Sequence, residues 1–232
     1  MGGKALGTLA TVLLILAESA ARGEPIAVLQ ANLTLTVRTY DNFGVSAGNL
    51  KTAQRVTAEA FREAGIVITW VKCSRASDRS PMGKSPRCAE PPDSADVMVR
   101  IVSGPRDPTT YPNALGFSLV SEGREAPRLA TVFADRVLSF AQSAATNAGA
   151  VLGLAMAHEI GHVLLNTNTH ANNGLMRAMW FRSGLQRAAR REARFHHTEA
   201  ENMREGLRSR IQRAKSASLQ LEARLVEHQL AP

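Results

Sequence analysis

Apolar and polar residues alternate over residues 33–40 (LTLTVRTY), the period-two pattern of a half-buried strand. Over residues 49–64, Leu50, Ala53, Val56, Ala60, Phe61 and Ala64 recur at helical spacing, and Gly65 supplies the stop. Residues 66–71 and 97–102 are short runs rich in β-branched side chains and read as strands. Residues 104–113, with three prolines, read as a loop, and residues 115–120 and 129–134 as two further strands joined by a charged turn. Residues 144–165 form a long, mostly apolar helical stretch whose near-absence of charge predicts burial on most sides. Beyond residue 182, Arg, Glu, Ala and Gln dominate, and Met203, Leu207, Ile211 and Ala214 line one face of a further helix. Thr198 with Glu201 fits a capping box that opens it. The order predicts one α+β domain: a mixed β-sheet, a central helix, then C-terminal helices.

Composition adds compartment and charge. Lys4 precedes a short apolar run over residues 5–17, followed by the small residues Ser19, Ala20 and Ala21. A basic start, a brief apolar stretch and a small-residue site predict a signal peptide over residues 1–21 and a secreted or periplasmic protein. The run is short of the roughly 20 residues that span a bilayer. Cys73 and Cys88 are the two cysteines, and they flank a loop rich in Ser, Pro, Arg and Lys. In an exported chain such a pair predicts a Cys73–Cys88 disulfide closing a surface loop. The hydrophobic share of 44% and charged share of 21% exclude a wholly disordered chain. The net charge is +8, but residues 1–181 carry 17 basic and 14 acidic side chains (net +3), and residues 182–232 carry 11 and 6 (net +5). The charge therefore belongs mostly to a basic C-terminal helical segment, residues 182–232, expected to pack on or extend from the domain. It suits weak contact with an anionic envelope surface, while export argues against nucleic acid as the partner.

The chemistry lies in the central helix. Residues 158–162 read His-Glu-Ile-Gly-His. Positions i and i+4 share a helical face, so His158 and His162 can ligate one Zn2+ ion. Glu159 stands beside a ligand without needing to be one, and is placed to act as general base on water at the metal. With six His and fourteen Glu in the chain, chance yields roughly 0.01 such motifs. A catalytic zinc takes three protein ligands and keeps one open position. His170 is the first candidate for the third: it follows the polar stretch 166–169, and Asn166 suits a left-handed exit from the helix. Glu192, Glu199 and Glu201 are rivals by position only. His196 and His197 read as a solvated pair before the last helix, and Trp180 and Phe181 as core rather than a substrate pocket.

The run HEIGHVLLNTNTHANNGLM resembles the metzincin clan of zinc metallopeptidases over about residues 150–181. The chain also looks similar to a group of uncharacterised secreted bacterial proteins with an HEIGH motif and an M-R-A-x-W segment, here residues 176–180. The resemblance implies a zincin-like domain over residues 22–181, His158, His162 and His170 as zinc ligands, Glu159 as catalytic base, and Met176 in a turn beneath the metal. Two departures mark the match. The clan's glycine falls where this chain has Leu165 and its third histidine where this chain has Asn168, so Asn166 and His170 are shifted by one and two residues. The expected function is a secreted, monomeric zinc metalloendopeptidase acting on a peptide or protein substrate, with residues 115–120 as the edge that pairs with it. The alternative is a non-catalytic, zinc-stabilised extracytoplasmic binding protein whose basic helix docks on anionic surfaces.

Overall fold

The computed structural model describes residues 33–73, 85–107, 109–111, 113–121, 128–178 and 193–230, the last eight by backbone only. The expected signal peptide, Trp180, Phe181 and Glu192 lie outside the described residues. The described residues all fall in one compact unit.

Five strands make one sheet: β1 (Leu33–Asp41), β2 (Ile66–Cys73), β3 (Asp96–Val102), β4 (Gly116–Ser118) and β5 (Leu129–Phe133), in the order β2-β1-β3-β5-β4. The first four run parallel, and β4 pairs antiparallel with β5 at the edge. The sheet is mixed, as the strand pattern predicts. Register places Val37 opposite Val97, Ile101 opposite Val132, and Val132 opposite Gly116. Because strand side chains alternate, Leu35, Val37, Val97, Val99, Ile101, Ala130 and Val132 all face one side, and all are fully buried there. Gly116 and Ser118 lie on that same face at its edge.

Helices α1 (Ala47–Glu63), α2 (Ala134–Ser143) and α3 (Ala148–Leu165) are joined by the long C-terminal helix α4 (His197–Leu230). The chain is thus α+β. Helix α1 begins at Ser46, whose hydroxyl accepts from Asn49 N–H, and Gly65 ends it with φ +78°. Helix α3 packs against α1, α2, α4 and β5 and is the centre of the core. It meets α1 at backbone distance: a Cβ on Gly153 would sit 2.6 Å from the Ala53 carbonyl oxygen and 2.7 Å from Val56 Cβ. Gly153→Ala is therefore expected to push the two helices apart and destabilise the fold by about 1–3 kcal/mol. A lowered urea midpoint at unchanged slope would record it; an unchanged midpoint would mean that the α1–α3 contact yields freely.

Four sequence expectations need correction. The helix expected over residues 144–165 starts at Ala148, because Ala145 takes a left-handed φ of +47° and the Asn147 side chain caps the new helix at Ala150 N–H. Before that break, residues 134–143 form α2, which the strand expected over 129–134 partly overlaps. The capping box is two residues earlier than Thr198 and Glu201. Helix α4 opens at His197, and the His196 N–H donates to Glu199 at 2.7 Å, while Glu201 pairs with the His197 ring at 3.3 Å. The strand expected over 115–120 is real but spans Gly116–Ser118 alone.

Helix α4 packs through Ala200, Met203 and Leu207, all buried, whereas Leu219 and Leu221 further along are exposed. It sends Arg204 to the Ala64 carbonyl at the end of α1 and Arg210 to the Val163 carbonyl at the end of α3, at 2.8 and 2.6 Å. Cations at helix C-termini complement the unpaired carbonyls and the helix dipole. On the opposite sheet face, buried Arg38 donates to Asp96 at 2.8 Å and to the carbonyls of Glu90 and Pro91. Those residues follow the Cys73–Cys88 disulfide, which is present as expected and ties the end of β2 to this loop.

Candidate metal centre

Helix α3 is buried along its whole length, so its three polar groups must find partners inside the protein. His158, Glu159 and His162 are 9%, 6% and 4% exposed. The i,i+4 spacing brings the two imidazoles edge to face, with ring centroids 4.6 Å apart. Asn166 ends the helix in the left-handed conformation, φ 50° and ψ 44°, as its residue type suggests. Its side-chain amide also grips Ser121, donating to the carbonyl at 2.9 Å and accepting from the N–H at 3.0 Å. The chain turns back there and brings the exposed His170 over the helical pair.

The three Nε2 atoms converge. His162 Nε2 lies 3.0 Å from His158 Nε2 and 3.2 Å from His170 Nε2. Ligands held about 2.0–2.1 Å from a tetrahedral zinc would stand roughly 3.3 Å apart, so the spacing fits. The partners of the other ring nitrogens fit as well. His158 Nδ1 meets the Leu175 carbonyl at 2.9 Å and His162 Nδ1 meets the Thr167 carbonyl at 2.6 Å. A carbonyl only accepts, so each Nδ1 carries the hydrogen and each neutral ring turns a bare Nε2 lone pair towards the other. Lone pairs so placed repel unless a cation sits between them. Burial reinforces the neutral state: it holds His158 down at about 4, with His162 and His170 pushing the same way and the Leu175 carbonyl opposing. His162 and His170 are lowered too, chiefly by burial. Neutral imidazoles are what a metal ion requires. Among the described residues these three histidines form a group that could hold a metal ion.

The turn containing Gly174, Leu175 and Met176 packs against α3 next to the histidines. Gly174 has φ +74°, Ala171 N–H donates to the Met176 carbonyl, and Leu175 N–H donates to the Arg194 carbonyl. Met176 is 1% exposed and presses on Gly161, where a Cβ would meet its sulfur at 2.6 Å. Gly161 is thus the helical position, between the two histidines, at which the methionine turn touches α3. Of the rival ligands, Glu199 and Glu201 are engaged at the start of α4, and neither joins the group.

Glu159, next to His158 on the helix, points towards β4. Ser118 Oγ lies 2.8 Å from its Oε2 and 2.7 Å from its backbone carbonyl oxygen. No local sequence signal marks Ser118, because the contact spans 41 residues. A cleft of about 1190 Å³ opens over the site, lined by the three histidines and Glu159 and continuing past Leu154 to Phe140. Burial pushes the Glu159 carboxyl up to about 7, with the Ser118 hydrogen bond opposing.

That shift has a stability consequence for the metal-free protein. Between pH 4.5, the carboxyl's ordinary value, and about 7, the folded chain keeps a proton on Glu159 that the unfolded chain has released. Raising the pH through this window costs the fold stability, and the cost is complete above about pH 7. Glu159→Gln lacks this cost. The stability difference between variant and wild type is expected to move in the variant's favour by on the order of 3 kcal/mol from about pH 4.5 to about pH 8. Urea denaturation at both pH values checks it; a difference independent of pH would contradict the buried carboxyl.

No protein-family model and no curated protein matches the chain. A solved structure that it is similar to is the crystal structure of archaemetzincin from Methanopyrus kandleri, with 15% sequence identity, a TM-score of 0.47, and 78% of this chain and 99% of that one covered.

Proposed function

We propose that this chain is an exported zinc metallopeptidase whose metal ligands are His158, His162 and His170 and whose general base is Glu159. The observation that carries the reading is the convergence of the Nε2 atoms of His158, His162 and His170 beside a buried carboxyl group at the floor of an open cleft. When bound, zinc supplies Lewis-acid polarisation of the scissile carbonyl and lowers the pKa of water towards 7. Glu159 takes a proton from the attacking water and returns it to the departing amine, so that water adds across the C–N bond. Met176 and the Leu175 carbonyl hold the ligand helix, the latter by fixing the His158 ring.

Substrate recognition follows from the edge strand. In the β4–β5 pairing, Leu119 N–H donates to Leu129 and Phe133 N–H to Leu115, which turns the main-chain groups of Gly116 and Ser118 outward. An extended peptide adding to β4 would use those groups, and its side chains would enter the cleft. The Cys73–Cys88 disulfide supports an oxidising compartment. The exposed outer part of α4 agrees with light contact on an anionic envelope surface, with the catalytic unit itself monomeric.

The test is to measure the metal content of the purified chain and its cleavage of a peptide library, then strip the metal with a chelator and restore zinc. Cleavage is expected to disappear and return with about one equivalent of zinc. Stoichiometric zinc with no cleavage of any peptide would favour the binding-protein alternative.

A further inference from the structure

We infer that β4 is the seat of the general base, with Ser118 a positioning residue that holds Glu159 for its work; this rests on the peptidase reading above. Two independent observations on one strand support it. Ser118 Oγ stands 2.8 Å from Glu159 Oε2, while among the described residues Oε1 takes no hydrogen bond. At Gly116, two residues earlier on the same sheet face, a Cβ would come within 2.9 Å of both Glu159 Cγ and Oε1. The missing side chain at 116 leaves the room in which the carboxylate lies, and the hydroxyl at 118 pins one of its oxygens. The other oxygen stays available to water.

The Ser118 contact serves the base both before and after it takes the proton. Within one turnover Glu159 is first a carboxylate and then a carboxylic acid. As a carboxylate its Oε2 accepts from Ser118. As an acid protonated on Oε1, the oxygen that meets water, it keeps Oε2 as an acceptor for Ser118, whose hydroxyl also lies 2.7 Å from the Glu159 backbone carbonyl. The same three groups satisfy one another in both states, so the base can gain and lose a proton without moving.

The experiment compares wild type, Ser118→Ala, Ser118→Thr, Glu159→Gln and the Glu159→Gln/Ser118→Ala double variant, all zinc-loaded, for metal content, kcat and KM on one cleaved peptide. Ser118→Ala is expected to keep one zinc and a KM near that of wild type, while kcat falls by about 10- to 100-fold, the range in which outer-shell partners act. Ser118→Thr should restore most of that loss. The double variant should be no slower than Glu159→Gln, because the serine acts through the glutamate. An unchanged kcat in Ser118→Ala, or an equal further loss in the Glu159→Gln background, would overturn the proposal. Should Ser118→Ala fail to fold, a threonine variant as slow as Glu159→Gln would do the same. Wild-type protein that holds zinc and cleaves nothing would overturn the peptidase reading itself, and this assignment with it.

Discussion

Glu159→Gln is expected to keep its zinc and lose at least about 10²- to 10⁴-fold in peptide hydrolysis, the range for a general acid–base group. Glutamine has the size of glutamate, so it still fits the space beside Gly116 and can still meet Ser118. It can neither take a proton from water nor hand one to an amine. The His158 and His162 rings are fixed through Nδ1 by the Leu175 and Thr167 carbonyls and not by Glu159, so metal binding should survive. Inductively coupled plasma analysis and a peptide assay on the same sample separate the two effects. A glutamine variant that cleaves as fast as wild type would remove Glu159 from the mechanism.

His170→Ala is expected to lower zinc affinity by at least about 100-fold, because a three-ligand site becomes a two-ligand site and even outer-shell losses cost 10- to 100-fold. His170 is the right histidine to remove, because it is exposed and sits in the segment beyond α3. The variant should therefore fold, unlike one that opens a hole at buried His162. Competition with a chromophoric chelator measures the loss, and circular dichroism confirms the fold. Undiminished affinity would assign the third ligand elsewhere, with a later glutamate the next candidate.

The chain announces its site more openly than its fold. His158, Glu159 and His162 are visible because helical periodicity converts a five-residue motif directly into geometry. The left-handed exit at Asn166 follows from residue type, and His170 follows from the need for a third ligand. Helix α2 is hidden because its ten residues are short and mixed in polarity, with Asp135, Arg136, Ser139 and Gln142 among them, and it starts directly at the end of β5. A left-handed alanine at 145 leaves no compositional trace. The capping box lies two residues before the one the sequence suggests, because two glutamates, Glu199 and Glu201, offer the same reach and the choice depends on where α4 docks. Strand order β2-β1-β3-β5-β4 and the Ser118–Glu159 contact are tertiary: both join residues that are far apart along the chain.

The central claim is that three histidines hold a zinc ion with one position left open. Anomalous diffraction at the zinc edge from crystals of the zinc-loaded chain tests it in one measurement. The expected result is a single peak about 2.0–2.1 Å from Nε2 of His158, His162 and His170, with the fourth position facing the cleft and free of protein atoms. A peak ringed by four protein ligands, or one seated away from these histidines, would contradict the account.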